Sequence, residues 1–270
     1  AIKGNFDDCQ NLVKAMFNDK KFSKAINMSG VNSINWARII AQAVYYFYAY
    51  FKVGSGQPLS FSVPTGNFGD IYAGYLAKKL GLPIDKLIVA TNKNDILHRA
   101  ISGGDYTQRQ VEETNTPSMD IQIASNFERL LYDVKDCNSE VIKEVMSKIK
   151  SNSFIIDNDD LNKISKNFTS EMLDEKETVE MIKQINDEYQ IIVDPHTAVG
   201  IGAVKKLRLE NNCVVLSTAH PCKFPQAIQD AISKTEDLPS SLGYINGRKE
   251  KFEVLPNDIE KVKDYVMNSI

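Results

Sequence analysis

The sequence has no CxxC pair, no paired histidines and no long apolar run, and each absence closes a class of function. Its four cysteines, Cys9, Cys137, Cys213 and Cys222, are scattered through 270 residues. That spacing suits neither a zinc ribbon nor a dithiol redox centre, and reduced thiols in a cytosol are the expected state. Cys213 opens an apolar run and reads as a small core residue. Three histidines without ligand-like spacing argue against a metal site. No apolar stretch reaches the length of a membrane span. The net charge of -3 gives no electrostatic case for nucleic acid or an anionic membrane. The chain also opens without Met and without a signal-peptide pattern. Ala1-Ile2-Lys3 reads as a strand entered halfway, so a segment upstream is expected.

What is present is an ordinary globular composition, 43% hydrophobic and 25% charged, long enough for one large domain with a smaller piece beside it. The most informative stretch is Ser60-Phe61-Ser62-Val63-Pro64-Thr65-Gly66-Asn67-Phe68-Gly69-Asp70. It reads as a buried strand, a glycine turn and a helix from about Asp70 to Leu80. Gly66 and Gly69 let backbone N–H groups close around an anion, and the following helix aims its free N–H groups and partial positive charge at the same place. The turn is suited to a phosphate, although the same pattern also serves as a plain strand-to-helix connection.

Around this turn the chain alternates strands and helices. A helix runs from Asp7 or Asp8 to Phe17, followed by a polar connection to Met28 that reads as solvated surface. Ser33 or Asn35 caps a long helix ending near Lys52. Its apolar positions, Ile34, Ala37, Ile40, Ala41, Val44, Phe47, Tyr48 and Phe51, predict a well-buried element. Short apolar runs at 60–64, 86–90, 190–194 and 213–218 are each followed by a helical pattern. Residues 154–189 read as a charged helical excursion. The fold class is therefore α/β, a parallel sheet with helices on both faces. The expected domains are residues 1–30, a remnant of a smaller domain, and residues 31–270, a large α/β domain. Ligands of such sheets bind outside the carboxyl ends of the strands. That edge carries Thr65–Asp70, Thr91–Asn94, Asp194–His196 and Thr218–His220.

Several stretches together resemble threonine synthase: Gly66-Asn67-Phe68-Gly69-Asp70, Asn32-Ser33-Ile34-Asn35-Trp36-Ala37-Arg38, Asp194-Pro195-His196-Thr197-Ala198 and Ser217-Thr218-Ala219-His220-Pro221. Gly4-Asn5-Phe6-Asp7-Asp8-Cys9-Gln10 and Pro117-Ser118-Met119-Asp120-Ile121 also match, so the resemblance runs in order through nearly the whole chain. It implies a pyridoxal-phosphate enzyme of the tryptophan synthase β-like fold (fold type II), cytoplasmic, converting O-phosphohomoserine and water to threonine and phosphate. It further implies that Gly66, Asn67, Phe68, Gly69 and Asp70 bind the cofactor's phosphate and that Thr218 faces its pyridine nitrogen. Asn32, Ser33 and Arg38 match residues that hold the substrate's phosphate, a task to which an Arg with neighbouring hydroxyl and amide donors is suited.

The family's Schiff-base lysine lies upstream of these motifs in a Phe-Lys-Asp context that does not occur here. The look-alikes Val134-Lys135-Asp136 and Val262-Lys263-Asp264 fall on the wrong side of the glycine turn. The chain accordingly reads as the C-terminal majority of the enzyme, with no catalytic lysine of its own. Three functions stay open: threonine synthase in the whole protein, a non-catalytic relative that binds phosphate compounds or a protein partner, and another pyridoxal-phosphate enzyme of this fold such as a dehydratase. His196 and His220 read equally as scaffold and as catalytic groups. Arg38 and Thr218 have plain readings too, as a surface charge and a helix cap. The 92–94 turn and the Met119–Asn126 segment match the family without an assignable role.

Overall fold

A computed structural model describes residues 1–4, 6–30, 35–54, 56–151 and 154–269. Two compact units emerge, Ala1–Val31 with Pro239–Ile270, and Asn32–Leu238. The tail therefore groups with the first helices, whereas the sequence reading placed it with the large domain. In this first unit β1 (Ile2–Lys3) pairs in parallel with β6 (Leu255–Pro256), from the far end of the sequence, in the register Ile2↔Leu255 and Lys3↔Pro256. Helices α1 (Phe6–Asn18), α2 (Lys20–Ala25) and α12 (Ile259–Asn268) close a small core of Leu12, Met16, Phe22 and Val262. The supposedly solvated connection after α1 thus contains a helix. Asp19 caps it by accepting from Phe22 N at 3.0 Å, and its one aromatic side chain is buried.

The second unit begins with α3 (Trp36–Val53), capped by Asn35, whose Oδ1 accepts from Ala37 N at 3.0 Å. There follow β2 (Leu59–Pro64), α4 (Gly69–Lys79), β3 (Ile84–Thr91) and α5 (Ile96–Gly103). Then come α6 (Phe127–Val134), α7 (Ser139–Lys150), α8 (Asn158–Ser165), β4 (Phe168–Met172) and α9 (Glu175–Tyr189). Helix α10 (Pro195–Leu207), β5 (Cys213–Val215) and α11 (Pro225–Ile232) complete it. The strands form one parallel sheet in the order β4-β3-β2-β5. Helices cover both faces, as the strand periodicity requires. On β3, Leu87 and Val89 enter the core shared with α3 and α4, while Ile88 and Ala90 meet Val199, Ala203 and Val204 of α10.

Two strand expectations are corrected. Residues 190–194 are not a strand. Gln190 ends α9 in the left-handed region at φ 56°, and Asp194 already caps α10, so only a short connection lies between two helices. The fourth strand is instead Phe168–Met172, inside the stretch read as a helical excursion. It is an edge strand whose alternation is carried by two residues, Phe168 and Ser170, both buried beside the charged Glu171. A pattern that short does not stand out from its helical surroundings.

The expectation that α3 is well buried is also corrected. Ile39, Ala43, Tyr46 and Tyr50 form its buried face, whereas Ile40, Val44, Tyr48 and Phe51 are 48%, 62%, 64% and 76% exposed. The buried face lies tightly on α4. A Cβ on Gly74 would stand 2.5 Å from the Tyr46 ring, so glycine is what permits that approach. The approach brings the Tyr46 hydroxyl to the start of α4, where it donates to Asp70 O at 2.8 Å with Asp70 Oδ1 at 3.1 Å.

Candidate functional site

The carboxyl end of β2 opens into the glycine turn. Phe68 sits in the left-handed region at φ 64° and starts α4, whose first N–H groups, from Gly69 to Ile71, have no carbonyl of their own helix to bond. A Cβ on Gly66 would lie 2.1 Å from Ser118 O, so this position admits no larger residue while the 117–119 turn keeps its place. The next residue is braced from the other side. Asn67 O accepts from Asn126 N and Nδ2, both at 3.1 Å, and its Oδ1 faces Ser125. The segment 119–126, which the sequence left without a role, is thus the support of the turn.

The turn borders a cleft of about 420 Å³ lined by three widely separated parts of the second unit. Arg38 and Gln42 come from the first turns of α3. Residues Pro64–Ile71, Ser118 and Met119 form the floor around the turn. His196, Thr218, Ala219, Lys223 and Phe224 form the remaining wall. Of the residues singled out from the sequence, Gly66, Asn67, Phe68, Gly69, Asp70, Thr218 and Arg38 line this one cleft. Asn32 and Ser33 lie outside the described residues. His220 is not among the lining residues; its Nδ1 accepts from Cys222 N at 3.3 Å. The 92–94 turn serves as a clamp. Asn92 Nδ2 faces Thr114, Thr116 and Asp120, and Asn94 Nδ2 donates to Glu112 O and Asp120 Oδ1 at 2.9 Å, fixing the loop that carries Ser118.

The electrostatics of the cleft favour an anion. Among the described residues no carboxylate pairs with Arg38 or Lys223, and Lys223 Nζ stands 5.9 Å from the Phe224 ring centre. Its acidic group, Asp70, is pushed up to about pKa 6 by burial, against the lowering effect of the Tyr46 hydroxyl. Burial and the Asp70 charge in turn hold the Tyr46 phenol well above its usual range. Lys223, Gln42 and Phe224 went unread in the sequence, and Ser118 was matched to the family within Pro117–Ile121 without a role. Lys223 and Phe224 come just after Ser217–Pro221, with only Cys222 between, and that nearness was the available signal. The lysines in look-alike contexts lie elsewhere: Lys135 pairs with Asp157 at 2.8 Å and with Asp160, and Lys263 with Asp19 at 2.9 Å.

Parallel strands carry a glycine turn at their carboxyl edge, with a helix N-terminus over a cationic cleft, an α/β arrangement suited to an anion. Comparison with known proteins narrows the class. The family described as "Threonine synthase, C-terminal" matches residues 197–266. Threonine synthase of Pseudomonas aeruginosa is 45% identical across 98% of the chain, and that of Saccharomyces cerevisiae is 42% identical across 98%. A solved structure of a PLP-bound threonine synthase from Brucella melitensis superposes with a TM-score of 0.90 at 46% identity over 99% of the chain, and the yeast enzyme with 0.85 at 40%. The chain spans about 58% of the length of each of these relatives. The resemblance read from the motifs is thereby shown: over nearly its full length this sequence is similar to the C-terminal part of threonine synthases, with their fold.

Proposed function

We propose that the chain forms the C-terminal part of a cytoplasmic threonine synthase, a pyridoxal-phosphate enzyme that converts O-phosphohomoserine and water to threonine and phosphate. The observation that carries this reading is the single cleft that collects Arg38, the 66–70 turn and Thr218 from distant parts of the sequence. The residues fit the cofactor. The turn offers side-chain-free backbone and a helix N-terminus to a phosphate, and the volume suits a small phosphorylated ring with room for a substrate.

When bound, pyridoxal phosphate supplies an electron sink for carbanions at the substrate. Gly66, Asn67, Phe68, Gly69 and Asp70 hold its phosphate. Thr218 offers the pyridine nitrogen a hydroxyl, which brings no negative charge and so does not hold the ring protonated as a carboxylate would. Arg38, with Asn32 and Ser33, binds the substrate's phosphate by charge-assisted hydrogen bonds. Residues 1–30 are read as a remnant of the whole enzyme's smaller domain.

A second reading has its own observation. Lys223 is the lysine among the residues lining the cleft, while Lys135 and Lys263 are engaged with carboxylates elsewhere. A protein that binds phosphate compounds without turnover would present the same cleft. Reduction of the pyridoxal-phosphate-loaded whole protein with borohydride, followed by peptide mapping, separates the cases. Label on a lysine outside these 270 residues together with turnover of O-phosphohomoserine is the expected result. Stoichiometric label on Lys223, or binding with no turnover, would overturn it. Turnover of serine or threonine in place of O-phosphohomoserine would point to a dehydratase.

A further inference from the structure

His196 is the second residue of α10 and is 4% exposed. Its orientation is determined from three sides. The carboxylate of Asp194, itself 1% exposed, accepts from His196 N at 2.9 Å and from the Thr197 hydroxyl, and lies 3.1 Å from His196 Nδ1. The Phe224 ring packs on the imidazole with centres 4.9 Å apart. With Thr197 N also donating at 3.4 Å, the carboxylate already accepts three donors and takes a fourth, so Nδ1 carries the proton and donates to it. Nε2 is then the free end of the ring. It is buried, has no hydrogen-bond partner among the described residues, and belongs to a residue lining the cleft.

Leaving such an atom unpaired costs about 1–3 kcal/mol, a cost removed when a ligand meets it. The chemistry of Nε2 selects the ligand. With Nδ1 protonated, a neutral imidazole offers only a lone pair, so its partner must donate; an imidazolium must instead face an acceptor. A carboxylate ligand, ionised at neutral pH, meets only the second condition. A phosphate, whose second ionisation lies near pH 6 as an ester, meets both, as monoanion with an O–H or as dianion without one. Arg38 and Lys223 on the same cleft already demand an anion.

We infer that His196 is a ligand-binding residue of this cleft, with Nε2 making a hydrogen bond to an oxygen of the phosphate held near Arg38. One proton is shared between imidazole and phosphate, and Asp194 keeps the ring turned toward it. This deepens the proposed function and rests on its placing of a second phosphate, beyond the cofactor's, in the cleft.

The test is a titration of the whole protein, labelled with ¹⁵N-histidine, with inorganic phosphate, before and after loading with pyridoxal phosphate. His196 is identified by the signal missing in His196→Gln. Without phosphate the ring should show the Nδ1–H tautomer. With phosphate the Nε2 resonance should shift saturably in the loaded protein, and Arg38→Ala should abolish the shift. His196→Gln should weaken phosphate binding about tenfold by calorimetry while changing the affinity for pyridoxal phosphate less than twofold. Phosphate binding that leaves Nε2 unmoved, phosphate affinity unchanged in His196→Gln, or no phosphate binding at all would each overturn the inference. The resonance is read in the unmodified protein, so misfolding of a variant does not decide the matter. A failure of pyridoxal phosphate to bind, with the phosphate-induced shift intact, would remove the proposed function and leave the phosphate contact standing.

Discussion

Replacing Asp70 by Asn should make the protein more stable at pH 8 than at pH 5, relative to the parent. The carboxyl of Asp70 is lifted from the ordinary 3.8 to about 6, chiefly by burial, and the Tyr46 hydroxyl offsets only part of that. A folded-state pKa above the unfolded one means that the native state binds the proton more tightly. Stability from this group is therefore full below pH 3.8 and is lost as pH rises through 6. Two units correspond to about 3 kcal/mol lost by neutral pH. Roughly half of that is already gone at pH 5, so between pH 5 and 8 the remaining loss is about 1.4 kcal/mol.

Asn keeps an oxygen for Tyr46 to donate to and has no charge to bury. The advantage of Asp70→Asn over the parent should thus grow by about 1.4 kcal/mol from pH 5 to pH 8. Urea unfolding at the two pH values, in buffer free of phosphate, measures it. A difference between variant and parent that does not change with pH would refute the reasoning, because every other titrating group is common to both proteins. Tyr46→Phe supplies the reverse control. Loss of the hydroxyl removes the one lowering influence on Asp70, so the pH at which stability falls should move higher still.

Arg38→Ala in the whole protein should raise KM for O-phosphohomoserine by roughly tenfold to a hundredfold, the worth of a hydrogen bond to a charged group, and change cofactor affinity far less; a loss confined to cofactor binding would show that Arg38 serves the other phosphate. Gly66→Ala drives a methyl group against Ser118 O at 2.1 Å, so a stability loss of about 1–3 kcal/mol and weaker pyridoxal-phosphate binding by fluorescence titration are expected together. On α3, Ile39→Ala should cost about 2–5 kcal/mol in urea unfolding, whereas Val44→Lys and Phe51→Lys on the exposed face should each stay within about 0.5 kcal/mol and reduce self-association of the 270-residue chain by light scattering. Equal costs on both faces would mean that the exposed face is packed in solution.

The contrast between what was legible and what was not follows from where each piece of information resides. The strand, turn and helix around Gly66 were readable because such a turn is made by local backbone, and local backbone is governed by glycine positions and helix starts. The long helix before it was readable as a helix but not as to its face. Trp36–Val53 is apolar nearly all round, so periodicity cannot say that Ile39, Ala43, Tyr46 and Tyr50 face inward. Three consecutive β-favouring residues, Ile191, Ile192 and Val193, outweighed Phe168–Met172 in the sequence, yet the sheet took the latter. Pairing in register with Leu87–Thr91 is a property of two segments and leaves little mark on either.

The same division runs through the cleft. Its floor is backbone from one continuous stretch, whereas its walls are side chains that meet only after folding: Arg38 and Gln42 from one helix, and His196, Lys223 and Phe224 from the far side of the sheet sequence. A floor of N–H groups binds any phosphate. Discrimination between a cofactor phosphate and a substrate phosphate has to come from the walls, because only they differ from one end of the cleft to the other. Asp70 sharpens the point. At the mouth of α4 a full negative charge would oppose a phosphate, and burial answers this by lifting the carboxyl to about 6, where it is readily protonated when an anion approaches. The floor thus combines the fixed partial charge of the helix with one carboxyl that can gain a proton, and the wall supplies the cationic side chains of Arg38 and Lys223. Substitutions in the floor should accordingly affect every phosphate ligand alike, and substitutions in the wall should separate them.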